Sequence, residues 1–338
     1  MEKKIIVTGG AGYIGSHTCV ELVKSGYTPI IIDNFSNSEK FIVDRVEELT
    51  GKKIEVEEGD CGDYEFVKSV FKKHAEVSGV IHFAAFKAVG ESSNLPLKYY
   101  QNNLLSTIIM LKVMEEEGVS NFVFSSSCTV YGEPDQLPVT EDSPTKPAES
   151  PYGRTKQMCE NIVTDFSKVT KGFKGIFLRY FNPIGAHPSS RIGELPIGAP
   201  NNLVPYITQT AAGIREKLTI FGNDYDTPDG TCIRDYIHVV DLAKAHIAAL
   251  DYLLAEKEDC LEVFNVGTGN GNSVQEVVDT FQEVTGVKLN YEIGPRRAGD
   301  VEKVYSDATK VENGLKWKAD ISLAESLKDS WNWQQSLK

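Results

Sequence analysis

The stretch "SPYGRTK", residues 150–156, sets a phenol and an ammonium four positions apart, at Tyr152 and Lys156. Ser150 can cap a helix and Pro151 suits its first turn, so a helix should begin here. Residues i and i+4 of a helix share a face. A phenol with a pKa of ~10 is a poor base at neutral pH, because only ~0.1% of it is ionised. A neighbouring ammonium favours the phenolate. Lowering the phenol by ~3 units corresponds to about 4 kcal/mol of differential stabilisation. Taken alone, the pair also fits an ordinary solvated helix face. A second stretch, "FVFSSSCTVYG" (122–132), brings Ser125, Ser126 and Ser127 to the end of a strand about 25 positions upstream. Those hydroxyls could simply bond nearby backbone. Beside Tyr152 and Lys156, however, Ser127 can hold a reacting oxygen or relay its proton. The chemistry that needs all three groups is removal of a proton from an alcohol.

A third stretch says where the matching hydride would go. In "VTGGAGYIGSH" (7–17), Gly9, Gly12 and Gly15 follow a strand and open a helix. Glycines there permit a tight turn and close approach of backbone to a pyrophosphate, and the helix N-terminus favours the anion. Asp33 ends the second strand, 18 positions after Gly15. A carboxylate in that place accepts from adenosine ribose hydroxyls and repels a 2′-phosphate, so the expected cofactor is NAD. The competing reading of Asp33 is a strand-end turn residue. Asp60 and Cys61, after "EGD", fall near the adenine. "HFAAFKAVGES" (82–92) brings small residues and then Lys87 to the cofactor edge.

The elements that must position these groups alternate strand and helix. Strands are expected over 4–9, 28–34, 53–60, 79–85, 121–127 and 175–182, with helices over 13–25, 39–50, 97–117 and 151–170. Such alternation implies parallel strands with helices on both faces and right-handed crossovers. The fold class is therefore α/β: a Rossmann-type doubly wound parallel sheet with a smaller α/β substrate-binding domain. Texture changes at the Gly- and Pro-rich loop 183–202, and 235–253 returns to the first unit. The expected division is 1–182 plus about 235–262 for the dinucleotide, and about 183–234 plus 263–338 for the substrate.

The chain has 338 residues, 41% hydrophobic and 25% charged, with a net charge of −13. That composition supports a sizeable core and argues against a nucleic-acid partner, whose phosphates call for Lys and Arg. Six scattered cysteines suggest neither a zinc site nor a disulfide frame, and fit reduced thiols in a cytoplasm. No apolar run nears the ~18 residues of a membrane span. "MEKKIIV" mimics a signal peptide, but "TGGAGYIG" interrupts its apolar stretch. His17, His82, His187 and His238 have no metal spacing and read as structural or peripheral, so no metal is expected.

Over nearly its whole length the sequence resembles the extended short-chain dehydrogenases/reductases, and among them the UDP-glucose 4-epimerases. The narrower likeness rests on "HFAAFKAVGES", "SSSCTVYG", "SPYGRTK", "LRYFNPIGAHPS" (178–189), "APNNLVPYI" (199–207), "IFGNDYDTPDGTCIRDYIHVVDLA" (220–243) and "PRRAGD" (295–300). It implies Ser127, Tyr152 and Lys156 as the catalytic set. For NAD it implies Gly9, Gly12, Tyr13, Ile14, Gly15, Asp33, Asn34, Asn37, Ser38, Asp60 and Cys61. To these it adds Phe83, Ala84, Ala85, Lys87, Asn102, Ser125 and Tyr180, together with Tyr152 and Lys156. For the UDP-sugar it implies Lys87, Ser127, Tyr152, Phe181, Asn182, Asn202, Leu203, Phe221, Arg234, Tyr236, Arg297 and Asp300. Arg234 and Arg297 are fixed cations suited to a diphosphate. Val304, four after Asp300, implies room for acetylated UDP-sugars, provided that a one-residue shift does not put Tyr305 in its place. Cys128 departs from the alanine usual in the family. The resemblance also implies a homodimer through the helices 97–117 and 151–170. Leu104, Ile108, Leu111, Met158 and Ile162 would supply its apolar surface, unless they pack on their own sheet. Two other readings remain open: a nucleotide-sugar 4,6-dehydratase, weakened because Cys128 and Thr129 after Ser127 are not carboxylates, and a non-catalytic NAD-sensing binding protein.

Overall fold

The computed structural model describes residues 3–297 and 301–337. Its centre is a seven-stranded sheet of β1 (Lys4–Thr8), β2 (Thr28–Asp33), β3 (Glu55–Glu58), β4 (Val77–His82), β5 (Asn121–Ser127), β6 (Lys174–Tyr180) and β7 (Cys260–Val266). The order is β3-β2-β1-β4-β5-β6-β7, and every pairing is parallel. Connections leave β1 towards one edge and β4 towards the other, so a crevice opens at the carboxyl ends of these two strands.

Strands covered on both faces read as continuous apolar runs, and "KIIVT" and "TPIIID" are such runs. Side chains alternate between faces. Ile5, Val7 and Ile31 point to one layer, with Val20 and Leu22 of α1 (Tyr13–Lys24), Val46 of α2 (Phe41–Thr50), and further on Leu242 and Leu250. Ile6, Ile30, Ile32, Phe122 and Phe124 point to the other. There they meet Val67 and Phe71 of α3 (Tyr64–Lys73), Met110 and Val113 of α5 (Pro96–Glu116), and Cys159 and Val163 of α6 (Pro151–Val169). A short α4 (Val89–Asn94) precedes α5.

Beyond Asn182, the helices α7 (Leu203–Ala211), α9 (Val274–Thr285) and α11 (Leu323–Ser336) surround a separate core of Val204, Ile207, Val277, Phe281, Leu327 and Trp331. Capping boxes at Ser273/Glu276 and Ser322/Glu325 start α9 and α11, each satisfying two otherwise orphaned donors. Between α7 and α9 in sequence, α8 (Val239–Ala255) lies on the main sheet, and between α9 and α11, α10 (Thr309–Leu315) packs on β7 and α8.

Several expected boundaries moved. The strand expected at 79–85 ends at His82, because the chain then bends over the glycine loop: a Cβ at Gly9 would stand 3.1 Å from Ala84 N. Tyr236–His238 pairs with Asn182–Ile184 outside the main sheet. β7 extends that sheet four residues past the expected end of the first unit. Of the apolar residues on α5 and α6, Leu111 lies in the core, and Leu104 and Ile162 pack half-buried against it. Ile108 and Met158 face outward, together with Leu97 and Leu105.

Candidate active site

The glycine loop is built as the spacing implies. Gly9 has φ +67°, a left-handed conformation that favours glycine. A Cβ on Gly15 would come within 2.3 Å of Gly9 O, so loop and helix could not close with any larger residue. Gly12 is the N-cap of α1, with no side-chain cap and no acidic residue in the first turn. The first amides of α1 are therefore open to an anion. Asp33 is buried, and its carboxylate accepts from Ala11 N at 3.0 Å, Phe35 N at 2.9 Å and Ser38 Oγ at 2.9 Å. A carboxylate offers about four acceptor sites, so capacity remains for a ribose hydroxyl. Loop and carboxylate together fit a dinucleotide.

Around this cradle Asn34 Nδ2 donates to Asp60 Oδ2 at 3.3 Å, and Asn37 is exposed. Burial, with Asp60 and Asp33 adding to it, pushes the Cys61 thiol well up. Ile14 packs half-buried against the core. Tyr13 Oη donates to Gly185 O at 2.7 Å and ties α1 to the loop after Asn182. Phe83, Ala84 and Ala85 are half-buried on the loop after β4. Phe83 N and Ala84 N donate to Thr8 O at 3.1 Å and Thr8 Oγ1 at 3.2 Å. Asn102 donates to Asn103 Oδ1, and Asn103 clamps Phe86 and Thr155. Asn103, unlike its neighbour, carried no sequence signal.

The three residues expected to be catalytic, Ser127, Tyr152 and Lys156, lie where β5 ends and α6 begins. Ser150 Oγ accepts from Gly153 N at 3.1 Å and so caps the helix that carries Tyr152 and Lys156. Ser127 starts a short 3₁₀ turn, Cys128–Tyr131, and its Oγ accepts from Thr129 N at 3.3 Å and Thr129 Oγ1 at 3.0 Å. Lys156 Nζ donates to Ser125 O at 2.6 Å and stands 4.8 Å from the Phe124 ring centre. Ser125 Oγ bonds the Tyr180 hydroxyl. Burial dominates the electrostatics. It lowers Lys156 to about 8, with Cys159 and Glu160 acting against it. It also raises Tyr152 above its usual value, with Tyr180 adding to the rise and nearby Ser127 opposing it. The sequence argument had Lys156 lowering the phenol. In the protein alone burial raises the phenol instead, and Lys156 Nζ is held by the Ser125 carbonyl.

Most of the residues expected to hold the sugar nucleotide come from the segments after β6. Phe181 is buried, and Asn182 N donates to Asp235 O at 2.9 Å. Asn202 caps α7, just before Leu203, and its Nδ2 donates to Glu194 Oε1 at 2.7 Å. The same oxygen takes Lys87 Nζ at 3.3 Å, so Glu194 joins the loop after β4 to the start of α7. No motif pointed to Glu194, which sits in a Gly- and Pro-rich loop. Phe221 is exposed, Tyr236 is buried and Arg297 is exposed. Arg234 donates to Ile233 O at 2.8 Å and pairs in register with Val304. Val304 packs with Phe181 and Cys128, whereas the Tyr305 ring packs at Gly271. Asp300 lies outside the described residues. Burial pushes the Cys128 thiol up to about 12 and keeps it neutral. His17 and His82 are lowered by burial to about 3 and His187 more mildly, and His238 accepts from Val240 N at 3.0 Å.

A Rossmann sheet, a glycine loop with its acidic partner and a buried serine–tyrosine–lysine set define an enzyme of the NAD-dependent short-chain dehydrogenase/reductase class. A family model described as GDP-mannose 4,6 dehydratase matches residues 6–330. The UDP-glucose 4-epimerase of Bacillus subtilis is 52% identical over 98% of this chain and 97% of its own. The UDP-glucose 4-epimerase of Bifidobacterium longum, solved in complex with NAD+ and UDP, superposes with a TM-score of 0.95 at 45% identity, covering 99% of this chain and 98% of that one. The UDP-Glc/GlcNAc 4-epimerase of Campylobacter jejuni gives 0.85 at 41% identity, over 99% of each chain. This chain belongs to the UDP-glucose 4-epimerase family. It is an NAD-dependent isomerase, and the dehydratase alternative is not favoured.

Proposed function

We propose that the chain interconverts UDP-glucose and UDP-galactose by inverting C4 of the sugar, with Tyr152 as the proton acceptor. The observation that carries this reading is that Ser127, Tyr152 and Lys156 are all buried where β5 leaves the sheet and α6 begins, with Lys156 one helical turn after Tyr152. NAD held at the glycine loop and Asp33 would supply hydride-transfer chemistry with no net oxidation or reduction, so no second redox substrate would be needed. As C4 loses its hydride, Tyr152 Oη takes the proton of the 4-hydroxyl and a 4-keto sugar is left. Ser127 Oγ holds that oxygen or relays its proton. Lys156 supplies positive charge that offsets the burial of the phenolate. After the keto sugar turns its other face, Tyr152 returns the proton to oxygen and the alcohol is inverted. Arg234 and Arg297 hold the diphosphate meanwhile, so the sugar turns without leaving. Phe221 offers apolar surface to the uracil, and Asp300 accepts from ribose hydroxyls.

The reading extends to UDP-N-acetylglucosamine and UDP-N-acetylgalactosamine. Val304 lies beside Cys128 and Phe181, neighbours of Ser127 and Asn182, and brings no ring into that space. The Campylobacter relative, a UDP-Glc/GlcNAc 4-epimerase, supports this breadth. Residues 1–182 with about 235–262 serve NAD, and about 183–234 with 263–338 serve the UDP-sugar. Exposed Leu97, Leu105, Ile108 and Met158 on α5 and α6 support a homodimer through those helices. Six free cysteines, four of them buried, suit a reducing cytoplasm. No helix among the described residues is long and apolar enough to cross a membrane.

The test is turnover of UDP-galactose by purified protein with no NAD added. Conversion to UDP-glucose is expected. A 4-keto-6-deoxy product, or binding without turnover, overturns the reading.

A further inference from the structure

Beneath the catalytic residues runs a row of buried polar side chains that the reaction above does not use. Glu160 stands one turn after Lys156 on α6 and is 6% exposed. Its Oε1 accepts from Ser126 Oγ at 2.6 Å and from Arg179 Nε at 2.9 Å, and its Oε2 accepts from Arg179 Nη2 at 2.6 Å. Arg179, on β6, is 7% exposed and donates from Nη1 to Tyr131 Oη at 3.0 Å. Tyr131 donates to Asn265 Oδ1 on β7 at 2.6 Å, and Asn265 Nδ2 donates to Val139 O at 2.9 Å. Val139 N then donates to Tyr305 O at 2.9 Å. The row thus runs from Ser126, next to Ser127, to Tyr305, next to Val304.

Stability does not explain a buried ion pair well. Apolar side chains of similar volume are often as stable or more so, whereas removing one charge leaves the other uncompensated. What the pair adds is direction. Apolar packing between α6 and the sheet is non-directional. A bidentate guanidinium–carboxylate contact fixes both distance and rotation. Rotation matters here, because Tyr152 and Lys156 ride on α6 while Ser127 ends β5. Misplacement by about 1 Å can cost ~10²-fold in rate.

We propose that Glu160 and Arg179 are positioning residues. Their buried pair, tied to β5 through Ser126, sets the helix bearing Tyr152 and Lys156 against the strand bearing Ser127. Through Tyr131 and Asn265 it sets the same helix against the wall at Val304. This inference rests on the epimerase reading.

The test is the double variant Glu160→Leu/Arg179→Met, which removes both charges and keeps the volume. It should melt at or above the wild-type temperature and retain NAD. Its kcat on UDP-galactose should fall at least tenfold, with KM changed less than twofold. A folded double variant with wild-type kcat, or with a raised KM and unchanged kcat, overturns the proposal. If the double variant fails to fold, Ser126→Ala decides, since it cuts only the link to β5. A fall in kcat of threefold or more at unchanged KM supports positioning, and an unchanged kcat refutes it. A wild type that does not convert UDP-galactose overturns the epimerase reading and this inference with it.

Discussion

Tyr152→Phe deletes one oxygen from the site. The phenol is buried, and desolvation holds its pKa above the usual ~10, so the phenolate fraction at neutral pH is below ~0.1% in the protein alone. Bringing it near 7 requires more than ~3 units, at least about 4 kcal/mol, from Lys156 and from the positive nicotinamide. Phenylalanine cannot take a proton at all, and the lost general-base step is worth ~10²–10⁴ in kcat, or about 3–5 kcal/mol of barrier. The folded state loses one buried hydroxyl, a change of about 1 kcal/mol. The glycine loop and Asp33 are untouched. The expected result is therefore a folded, NAD-bearing protein with kcat on UDP-galactose reduced at least a hundredfold. Activity would be followed by a coupled UDP-glucose assay, cofactor by extraction and folding by thermal melt. A kcat within threefold of wild type, with normal cofactor content, would refute Tyr152 as the base.

Cofactor extracted from denatured protein should be NAD or NADH; NADP would overturn the reading of Asp33. Wild type should act on the acetylated pair of UDP-sugars, and Val304→Tyr should suppress that activity more than turnover of UDP-galactose. An equal effect on both pairs, or a wild type inert towards the acetylated pair, removes Val304 as the gate. Light scattering at micromolar concentration should give a dimer, and Ile108→Glu/Met158→Glu should lower its mass; a monomeric wild type argues against pairing through α5 and α6. His17 and His82 are lowered by burial to about 3 and His246 to about 4, against 6.5 unfolded. Between those values the unfolded chain binds protons that the folded one does not. Stability is thus complete above about 6.5 and falls as the pH drops, by up to about 1.4 kcal/mol per pH unit per histidine. His246→Gln should remove one such share of the slope of unfolding free energy between pH 6 and 5, and an unchanged slope would contradict it.

What was legible in the sequence was local. Ser150, Pro151 and the serine run fixed where α6 begins and β5 ends, because caps and strand termini are written within a few residues. Gly9, Gly15 and Asp33 belong to a single strand–helix–strand unit, so their spacing carries their geometry. Contacts between distant segments left no such trace. Glu194 meets Lys87 from 107 positions away, and Arg179 reaches Tyr131 across 48. The choice between Val304 and Tyr305 depended on pairing with Arg234, which only the folded sheet supplies. Lys156 is a case of another kind: its position was foreseen, but its carbonyl partner and the size of its desolvation follow from burial that no spacing encodes.

The loop bearing Glu194 is completed by a residue made much later. Trp333 Nε1, on α11, donates to Glu194 O at 2.9 Å across 139 positions, and its ring lies where a Cβ on Gly193 would need to be. At ~5–20 residues per second, the ribosome finishes that loop roughly 7–28 s before it adds the tryptophan. In that interval α8 and β7 complete the main sheet, while the wall that joins Lys87 to Asn202 still has no backing. The backing of the wall between Lys87 and Asn202 is therefore among the last parts of the fold to be made.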